Sequence, residues 1–293
     1  MTAKKPNPSS LKEVCHNITQ RLSTAYPISE AQWMMRIIFE HLKGWTRVDL
    51  TIRADEVLSD FIISKINIII ERLLRHEPLQ YIVGEARFFG LNLHVTPAVL
   101  IPRPETEELV DLIINKSSNR HDLSIMDICT GSGCIAIALA RNLPFSSVSA
   151  IDISKEALVI ARENATSTHT KIDFIHADAL NLPSPPHPCL DIIVSNPPYI
   201  TDHERTAMEP NVLEHEPHLA LFVPDSDPLR FYRTISLYAI EALRPEGKLY
   251  FEINPLFATE LSEMLNNHGW NDIEIILDSH KKQRFASATA PKK

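Results

Sequence analysis

Ten consecutive residues constrain the fold more than any others: Leu190-Asp191-Ile192-Ile193-Val194-Ser195-Asn196-Pro197-Pro198-Tyr199. Ile192, Ile193 and Val194 are apolar, β-branched and adjacent, so the run has no polar face to turn toward water. Such a run reads as a strand buried on both faces of a parallel sheet. Pro197 and Pro198 cannot donate to a ladder and pin their own φ, and they push Asn196 and Pro197 out of the helical region. The chain therefore leaves the strand as a stiff hook bearing one amide side chain, several carbonyls and one aromatic ring. In open α/β sheets ligands lie outside the carboxyl ends of strands, where this hook would stand.

From residue 122 onward strand and helix patterns alternate. Strands are expected at 124–129, 147–151, 172–176, 190–195, 248–253 and 273–277, with a last apolar run near 284–288. A helix carrying Ile135, Ala136, Leu139 and Ala140 follows the first strand, and others are expected at 155–164, 228–243 and 256–268. This alternation predicts a parallel sheet covered by helices on both faces. The last two strands leave no room for a helix and so predict a closing antiparallel pair.

Upstream the spacing is helical. Leu11, Val14, Ile18 and Leu22 predict a helix from Leu11 to about Ala25. Met34, Ile37, Ile38 and Leu42 predict a second, with Ser29 and Gln32 as its capping box and Gly44 as its end. A third is expected over 55–75 with Leu58, Phe61, Ile62, Ile69 and Leu73 facing inward. Residues 1–9 are polar and proline-rich and are expected to be disordered. Phe88, Leu91, Leu93 and Val95 alternate and predict a β-hairpin turning near Gly90. Pro104 and the acidic residues after it suit the first turn of a helix continuing through Leu109, Leu112 and Ile113. The expected organisation is a small helical domain over 1–75, a β-hairpin connector over 76–102 and an α/β domain over 103–293.

Bulk properties narrow the function. No apolar run approaches the length of a membrane span, the longest being Cys134–Ala140, and the start of the chain lacks the apolar core of a secretory signal. Cys15, Cys129, Cys134 and Cys189 have neither zinc-site nor disulfide-framework spacing, so free thiols in the cytoplasm and no metal are expected. A net charge of −8 argues against a broad basic face for nucleic acid and leaves room for a small nucleotide-like cofactor or a protein partner.

Two places carry chemistry. Only seven glycines occur, and two of them fall in Gly131-Ser132-Gly133, directly after the strand that ends Asp127-Ile128-Cys129-Thr130. Glycines in a strand-to-helix turn bring backbone N–H groups close to a ligand. Neither GxGxxG nor GxxxxGK[ST] is present, which excludes the usual dinucleotide and triphosphate loops. Asp152 closes the second strand, where a carboxylate can accept both hydroxyls of a ribose. Asp178, followed by Ala179, stands after the third strand, where an adenine amino group would be read. Two acids at successive strand ends favour an adenosine ligand, and a short glycine turn without a pyrophosphate fingerprint favours S-adenosylmethionine over NAD.

The other place is the hook. The lone pair of a planar amide or exocyclic amine is delocalised and weakly nucleophilic. Acceptors for both of its N–H groups aim the nitrogen at a methyl donor and stabilise the charge that develops there. The Asn196 side-chain oxygen and the Pro197 carbonyl are suitable acceptors, with Pro198 fixing their directions. The Tyr199 ring is expected to stack on a flat substrate group. Arg103, between Pro102 and Pro104, is a candidate substrate contact.

Asn-Pro-Pro-Tyr together with this glycine turn resembles the amino-methyltransferases that act on planar nitrogens. Pro78-Leu79-Gln80-Tyr81-Ile82-x-Gly84, Leu100-Ile101-Pro102-Arg103-Pro104-Glu105-Thr106-Glu107, Asn196-Pro197-Pro198-Tyr199 and Glu216-Pro217-His218-x-Ala220-Leu221 resemble the PrmC/HemK family in order and spacing, over roughly residues 30–290. The resemblance implies a class I Rossmann-like, seven-stranded methyltransferase domain behind an N-terminal helical domain that docks the substrate. It also implies methylation of the N5 side-chain amide of the glutamine in the Gly-Gly-Gln motif of class I peptide chain release factors, without direct binding of nucleic acid or membrane. On this resemblance Asn196, Pro197 and Tyr199 are catalytic; Cys129, Thr130, Gly131, Ser132, Gly133, Asp152, Asp178, Ala179 and Asn196 bind the cofactor; and Arg103, Asn196, Pro197, Pro198 and Tyr199 contact substrate. The chain departs from the family at Cys129, where glycine is usual, and at Glu252-Ile253-Asn254, which lacks a glycine often found there. Alternatives are a ribosomal-protein glutamine methyltransferase, an adenine or cytosine DNA methyltransferase and a non-catalytic scaffold.

Overall fold

The computed structural model describes residues 10–185 and 187–292, and the disorder expected over residues 1–9 lies outside them. The chain divides into two compact units, one ending at Gly84 and the other starting at Glu85.

The first unit is helical. Its elements are α1 (Leu11–Leu22), α2 (Ile28–Lys43), α3 (Arg47–Ile52), α4 (Asp60–Leu73) and α5 (Leu79–Val83). Ser10 and Glu13 close a reciprocal capping box on α1. Gly44 ends α2 at φ 67, as its position predicts. Leu11, Ile18, Leu22, Ile38, Phe39, Ile70 and Leu73 form the buried centre. Three expectations change here. α2 starts at Pro27 without a side-chain cap, so Ser29 and Gln32 do not form the predicted box. The third predicted helix starts later than expected, at Asp60 after the cap Ser59, and a short helix that was not predicted, α3, capped by Thr46 and Asp49, precedes it. Phe61, predicted to face inward, is 68% exposed, because it stands off the stripe of Ile66, Ile69, Ile70 and Leu73.

The second unit begins with the hairpin β1 (Glu85–Phe88) and β2 (Leu91–His94), joined by Phe89 and Gly90, both at positive φ. Next come α6 (Pro104–Ser117), β3 (Ser124–Ile128), α7 (Cys134–Asn142), β4 (Ser147–Asp152), α8 (Lys155–Ser167), β5 (Ile172–His176) and β6 (Leu190–Ser195). A ribbon of β7 (Ile200–Thr201) and β8 (Phe222–Val223) brackets α9 (Pro210–His215) and was not predicted. The chain closes with α10 (Arg230–Ala242), β9 (Leu243–Glu252), α11 (Ala258–Asn267), β10 (Asn271–Leu277) and β11 (Gln283–Thr289).

Seven strands make one sheet in the order β10-β11-β9-β6-β3-β4-β5. β5, β4, β3, β6 and β9 run parallel, and β11 pairs antiparallel with both β9 and β10, the closing pair that the sequence predicts. Every residue of β6 is buried. Ile193 packs with Tyr232, Phe251 and Leu261 on one face, while Ile192 and Val194 pack with Leu109, Ile137 and Tyr250 on the other. Full burial of each such side chain is worth roughly 1.5–3 kcal/mol, which locks the strand in register. Its first turn is tied as well: Asp191 accepts from Arg120 at 2.8 Å and from the Ser124 amide at 2.9 Å, and it pairs with Arg244. With β6 fixed at both ends, the hook after it has a defined position.

Asn164 on α8 is fully buried and links three segments. Its oxygen accepts from the His94 amide at 2.6 Å, and its nitrogen donates to the carbonyls of His94 and Ser132, each at 3.0 Å. Asn164→Ala is expected to cost about 3 kcal/mol, roughly 1 for each bond removed, read as a lower urea midpoint for the second unit. Asp127, near the end of β3, is also fully buried, and burial pushes its carboxyl up to about 7. An acid raised on folding gives stability that is whole below its unfolded value and is lost as pH rises through its folded value. Between about pH 4 and pH 7 the native state therefore holds a proton that the unfolded chain has released. Asp127→Asn should melt higher than the wild type at pH 8 and lose that advantage at pH 4; equal melting temperatures at pH 8 would contradict this.

Candidate active site

One cavity of about 360 Å³ opens at the carboxyl ends of β3, β4, β5 and β6, within the range of small-ligand sites. Its floor is the turn Cys129–Ser132, and β4 and β5 contribute Asp152, Asp178, Ala179 and Leu180. Asn196 and Pro198 come from the hook, and Arg103 and Thr106 from the start of α6. Leu219, Ala220 and Phe222, from the segment after β7, contribute as well. Ten of the residues predicted for the site thus line one cavity: Arg103, Cys129, Thr130, Gly131, Ser132, Asp152, Asp178, Ala179, Asn196 and Pro198. Gly133, Pro197 and Tyr199 are not among the lining residues.

The floor is built by Asp152. Its Oδ2 accepts from the Gly131 amide at 2.8 Å and its Oδ1 from the Ser154 amide at 2.9 Å. A carboxylate has about four acceptor positions, so both oxygens can still receive a hydroxyl. Burial raises its carboxyl above the ordinary range, and the N–H groups of Ser154, Gly131 and Ile153 oppose that rise. Asp178 is set in the same manner, accepting from the Leu180 amide at 2.9 Å and from the Asn181 side chain at 2.6 Å.

Gly133 takes φ 81, and a Cβ there would stand 3.2 Å from that of Ala161, so it lets α7 approach α8 rather than touching the cavity. Cys129 occupies φ 64, a region glycine enters freely and other residues enter at a cost of about 1–2 kcal/mol. Its thiol is pushed up by burial and then by the charge of Asp152, so it stays neutral. Ser132 Oγ is buried beside the cavity and, among the described residues, has no hydrogen-bond partner. An orphaned hydroxyl, a paired ribose-type acid and a turn of amides at a helix start together fit an adenosine-type cofactor.

The hook is held by groups far away in sequence. Ser195 Oγ donates to the Ile128 carbonyl at 2.6 Å, joining the ends of β6 and β3. Asn196 Nδ2 donates to Thr106 Oγ1 at 3.4 Å, and Thr106 donates to Glu252 Oε2 at 2.7 Å. Tyr199 was expected to offer a stacking ring. Its hydroxyl instead donates to Glu252 Oε1 at 3.1 Å, its ring packs on the core beside β9, and burial pushes its phenol well up. The Tyr199 carbonyl accepts from Asn254 Nδ2 at 3.1 Å, and the same nitrogen donates to Glu204 at 2.9 Å. Asn254, in the Glu252-Ile253-Asn254 run that lacks an expected glycine, thus fastens the hook to the segment after β7.

Arg103 meets the site in an unexpected way. Its guanidinium donates to Glu216 Oε1 at 2.6 Å, and Glu216, with its side chain 1% exposed, also accepts from the Ile101 amide at 3.2 Å. The pair clamps the segment before α6 to the Glu216-Pro217 turn, which forms another part of the cavity wall. Thr106, Glu252 and Asn254 were not singled out as site residues. Thr106 stands inside the Arg103-Pro104-Glu105-Thr106 motif, the one sequence signal that pointed toward it.

Residues 13–84 match the PrmC N-terminal domain family, and residues 106–218 match the methyltransferase small domain family. The release factor glutamine methyltransferase of Bacteroides thetaiotaomicron is 46% identical over 271 residues, covering 92% of this chain and 97% of the relative. That of Flavobacterium psychrophilum is 42% identical over 278 residues, covering 94% and 97%. Among solved structures, a methyltransferase from Pyrococcus furiosus aligns with a TM-score of 0.52 at 16% identity, over 76% of this chain and 98% of the other. The 16S rRNA N2 G1207 methyltransferase of Thermus thermophilus, in complex with AdoMet and guanosine, aligns with a TM-score of 0.50 at 17% identity, over 70% of this chain and 49% of the other. These two likenesses give the Rossmann-like methyltransferase fold, and the full-length relatives give the family. The chain belongs to the release factor glutamine methyltransferase family.

Proposed function

We propose that this chain transfers a methyl group from S-adenosylmethionine to the side-chain amide nitrogen (N5) of the glutamine in the Gly-Gly-Gln motif of class I peptide chain release factors, modulating translation termination. The observation that carries this reading is that Asn196 stands in the wall of the same cavity as Asp152 and the 130–132 turn. When bound, S-adenosylmethionine supplies the methyl group, its C–S bond breaking with the electron pair left on sulfur as the N–C bond forms. Asp152 would take the ribose hydroxyls, Asp178 and Ala179 the adenine edge, and the amides and hydroxyls of Thr130, Gly131 and Ser132 the polar tail. Cys129 contributes a small, neutral side chain to the same floor.

On the substrate side, the Asn196 Oδ1 and the Pro197 carbonyl would accept the two N–H groups of the glutamine amide. Both acceptors gain strength as positive charge develops on that nitrogen, so they favour the transition state over the ground state. The nitrogen then releases its extra proton to solvent, and no side chain of shifted pKa is required. Pro198 lines the entry, Arg103 shapes it through Glu216, and Tyr199 braces the hook from behind. The first unit, with Trp33, Phe61 and Ile68 exposed on its helices, is assigned to docking the release factor. A net charge of −8 supports a protein rather than a nucleic-acid substrate. Among the described residues no helix is long and apolar enough to cross a membrane, and a release-factor substrate assigns the enzyme to the cytoplasm.

Protein incubated with methyl-labelled S-adenosylmethionine should label a release factor carrying Gly-Gly-Gln and not one with that glutamine replaced. Label on a ribosomal protein or on DNA instead would overturn the substrate. Asn196→Ala should lower kcat by about 10²- to 10³-fold with cofactor affinity retained. Asp152→Ala should weaken cofactor binding by at least ~10-fold, since each charge-assisted bond is worth about 1.5–3 kcal/mol. Equal losses of both quantities in either variant would contradict these assignments.

A further inference from the structure

Beneath Asn196 lies a chain of polar side chains that methyl transfer does not by itself require. Asn196 Nδ2 donates to Thr106 Oγ1, Thr106 donates to Glu252 Oε2, and Tyr199 donates to Glu252 Oε1. Thr106 and Glu252 are each 2% exposed and stand 146 positions apart, on α6 and at the end of β9. The Tyr232 hydroxyl donates to the backbone carbonyl of Glu252 at 3.2 Å, so the acid is held from a further side. Burial raises its carboxyl, while the hydrogen bonds from Thr106 and Tyr199 and the charge of Arg284 favour its ionised form.

The direction of this chain matters. A hydroxyl has one hydrogen, and Glu252 takes the one on Thr106. Thr106 can then offer Asn196 only a lone pair. The Asn196 amide must turn its NH₂ toward Thr106, which leaves Oδ1 for the cavity. The flipped amide would set its oxygen against the Thr106 oxygen and present two N–H donors to a substrate that itself needs acceptors. An asparagine with no such partner has nothing to choose between the two orientations. The Asn196–Thr106 distance of 3.4 Å is long, as catalytic hydrogen bonds often are before substrate tightens them.

We propose that Thr106 and Glu252 are positioning residues that lock the amide of Asn196 with its oxygen toward the substrate nitrogen, a role that rests on the glutamine-methylation reading. Neither touches the reacting atoms; Thr106 acts on Asn196, and Glu252 acts through Thr106.

The full-length protein tests this with Thr106→Val, which keeps the shape and removes the hydroxyl, and with Thr106→Ser, which restores it. Steady-state methylation of a release factor, calorimetric cofactor binding, thermal melting and the ¹⁵N-resolved side-chain NH₂ signal of Asn196, identified by its disappearance in Asn196→Ala, are measured for each. Thr106→Val should lower kcat by about 10- to 100-fold with cofactor affinity near the wild type, while the melting temperature falls by several degrees because the buried carboxylate of Glu252 loses one donor. It should also move the Asn196 NH₂ signal, and Thr106→Ser should return both kcat and signal. Wild-type kcat in Thr106→Val overturns the proposal, as does a loss of kcat that is matched by an equal loss of cofactor affinity or that Thr106→Ser does not restore. If the wild type methylates no release factor, the functional reading fails. The NMR arm still decides the lock: a moved Asn196 signal in Thr106→Val supports it, and an unmoved one overturns it.

Discussion

Proline at positions 197 and 198 forbids β6 from continuing, and the rest of the site depends on that stop. β6 is buried on every residue and lies at the centre of the seven-stranded sheet. It cannot slip by one position without exchanging Ile193 for Ile192 and Val194 between two different cores. Asp191 fixes its entry and Ser195 its exit. A strand held so firmly hands its position to the residue that follows, and that residue is Asn196. The stiffness of the hook is therefore supplied from below, by packing, and from above, by two prolines and the anchoring bonds of Asn254 and Glu252.

The cofactor side obeys a different logic. No long glycine-rich loop is present, and the turn after β3 holds its shape because Asp152 reaches back from the neighbouring strand to the Gly131 amide. In the proposed function one carboxylate serves both as this brace and as the ribose acceptor. Cys129 sits in a backbone region where glycine is easier, and its neutral, half-buried thiol adds no charge to the floor. Cysteine in this conformation carries about 1–2 kcal/mol of local backbone strain and makes a small apolar contact at the cavity floor.

What could be read from the sequence was what local pattern encodes. The apolar run of β6, the alternation that builds the parallel sheet, the hairpin around Gly90 and the acids at the ends of β4 and β5 each announce themselves within a few residues. Thr106 was legible only as part of a helix start, and Glu252 only as a neighbour of a missing glycine. Their meeting joins residues 146 positions apart, and the Arg103–Glu216 pair joins residues 113 apart. Such contacts leave no periodicity: one joins α6 to the end of β9 and the other joins two loop segments, so only the folded chain reveals them. Tyr199 shows the reverse case. Its place after two prolines predicts a ring that stacks on a flat substrate group; in the structure its hydroxyl is held by a buried acid and its half-buried ring packs against the core.

The geometry of methyl acceptance can be seen directly in a crystal structure of the protein with S-adenosylhomocysteine and a peptide containing Gly-Gly-Gln. The expected result places the glutamine side-chain nitrogen about 2.7–3.2 Å from both the Asn196 Oδ1 and the Pro197 carbonyl oxygen, in line with the cofactor sulfur. A glutamine nitrogen bound elsewhere in the cavity, or an Asn196 whose NH₂ group faces the substrate, would contradict it.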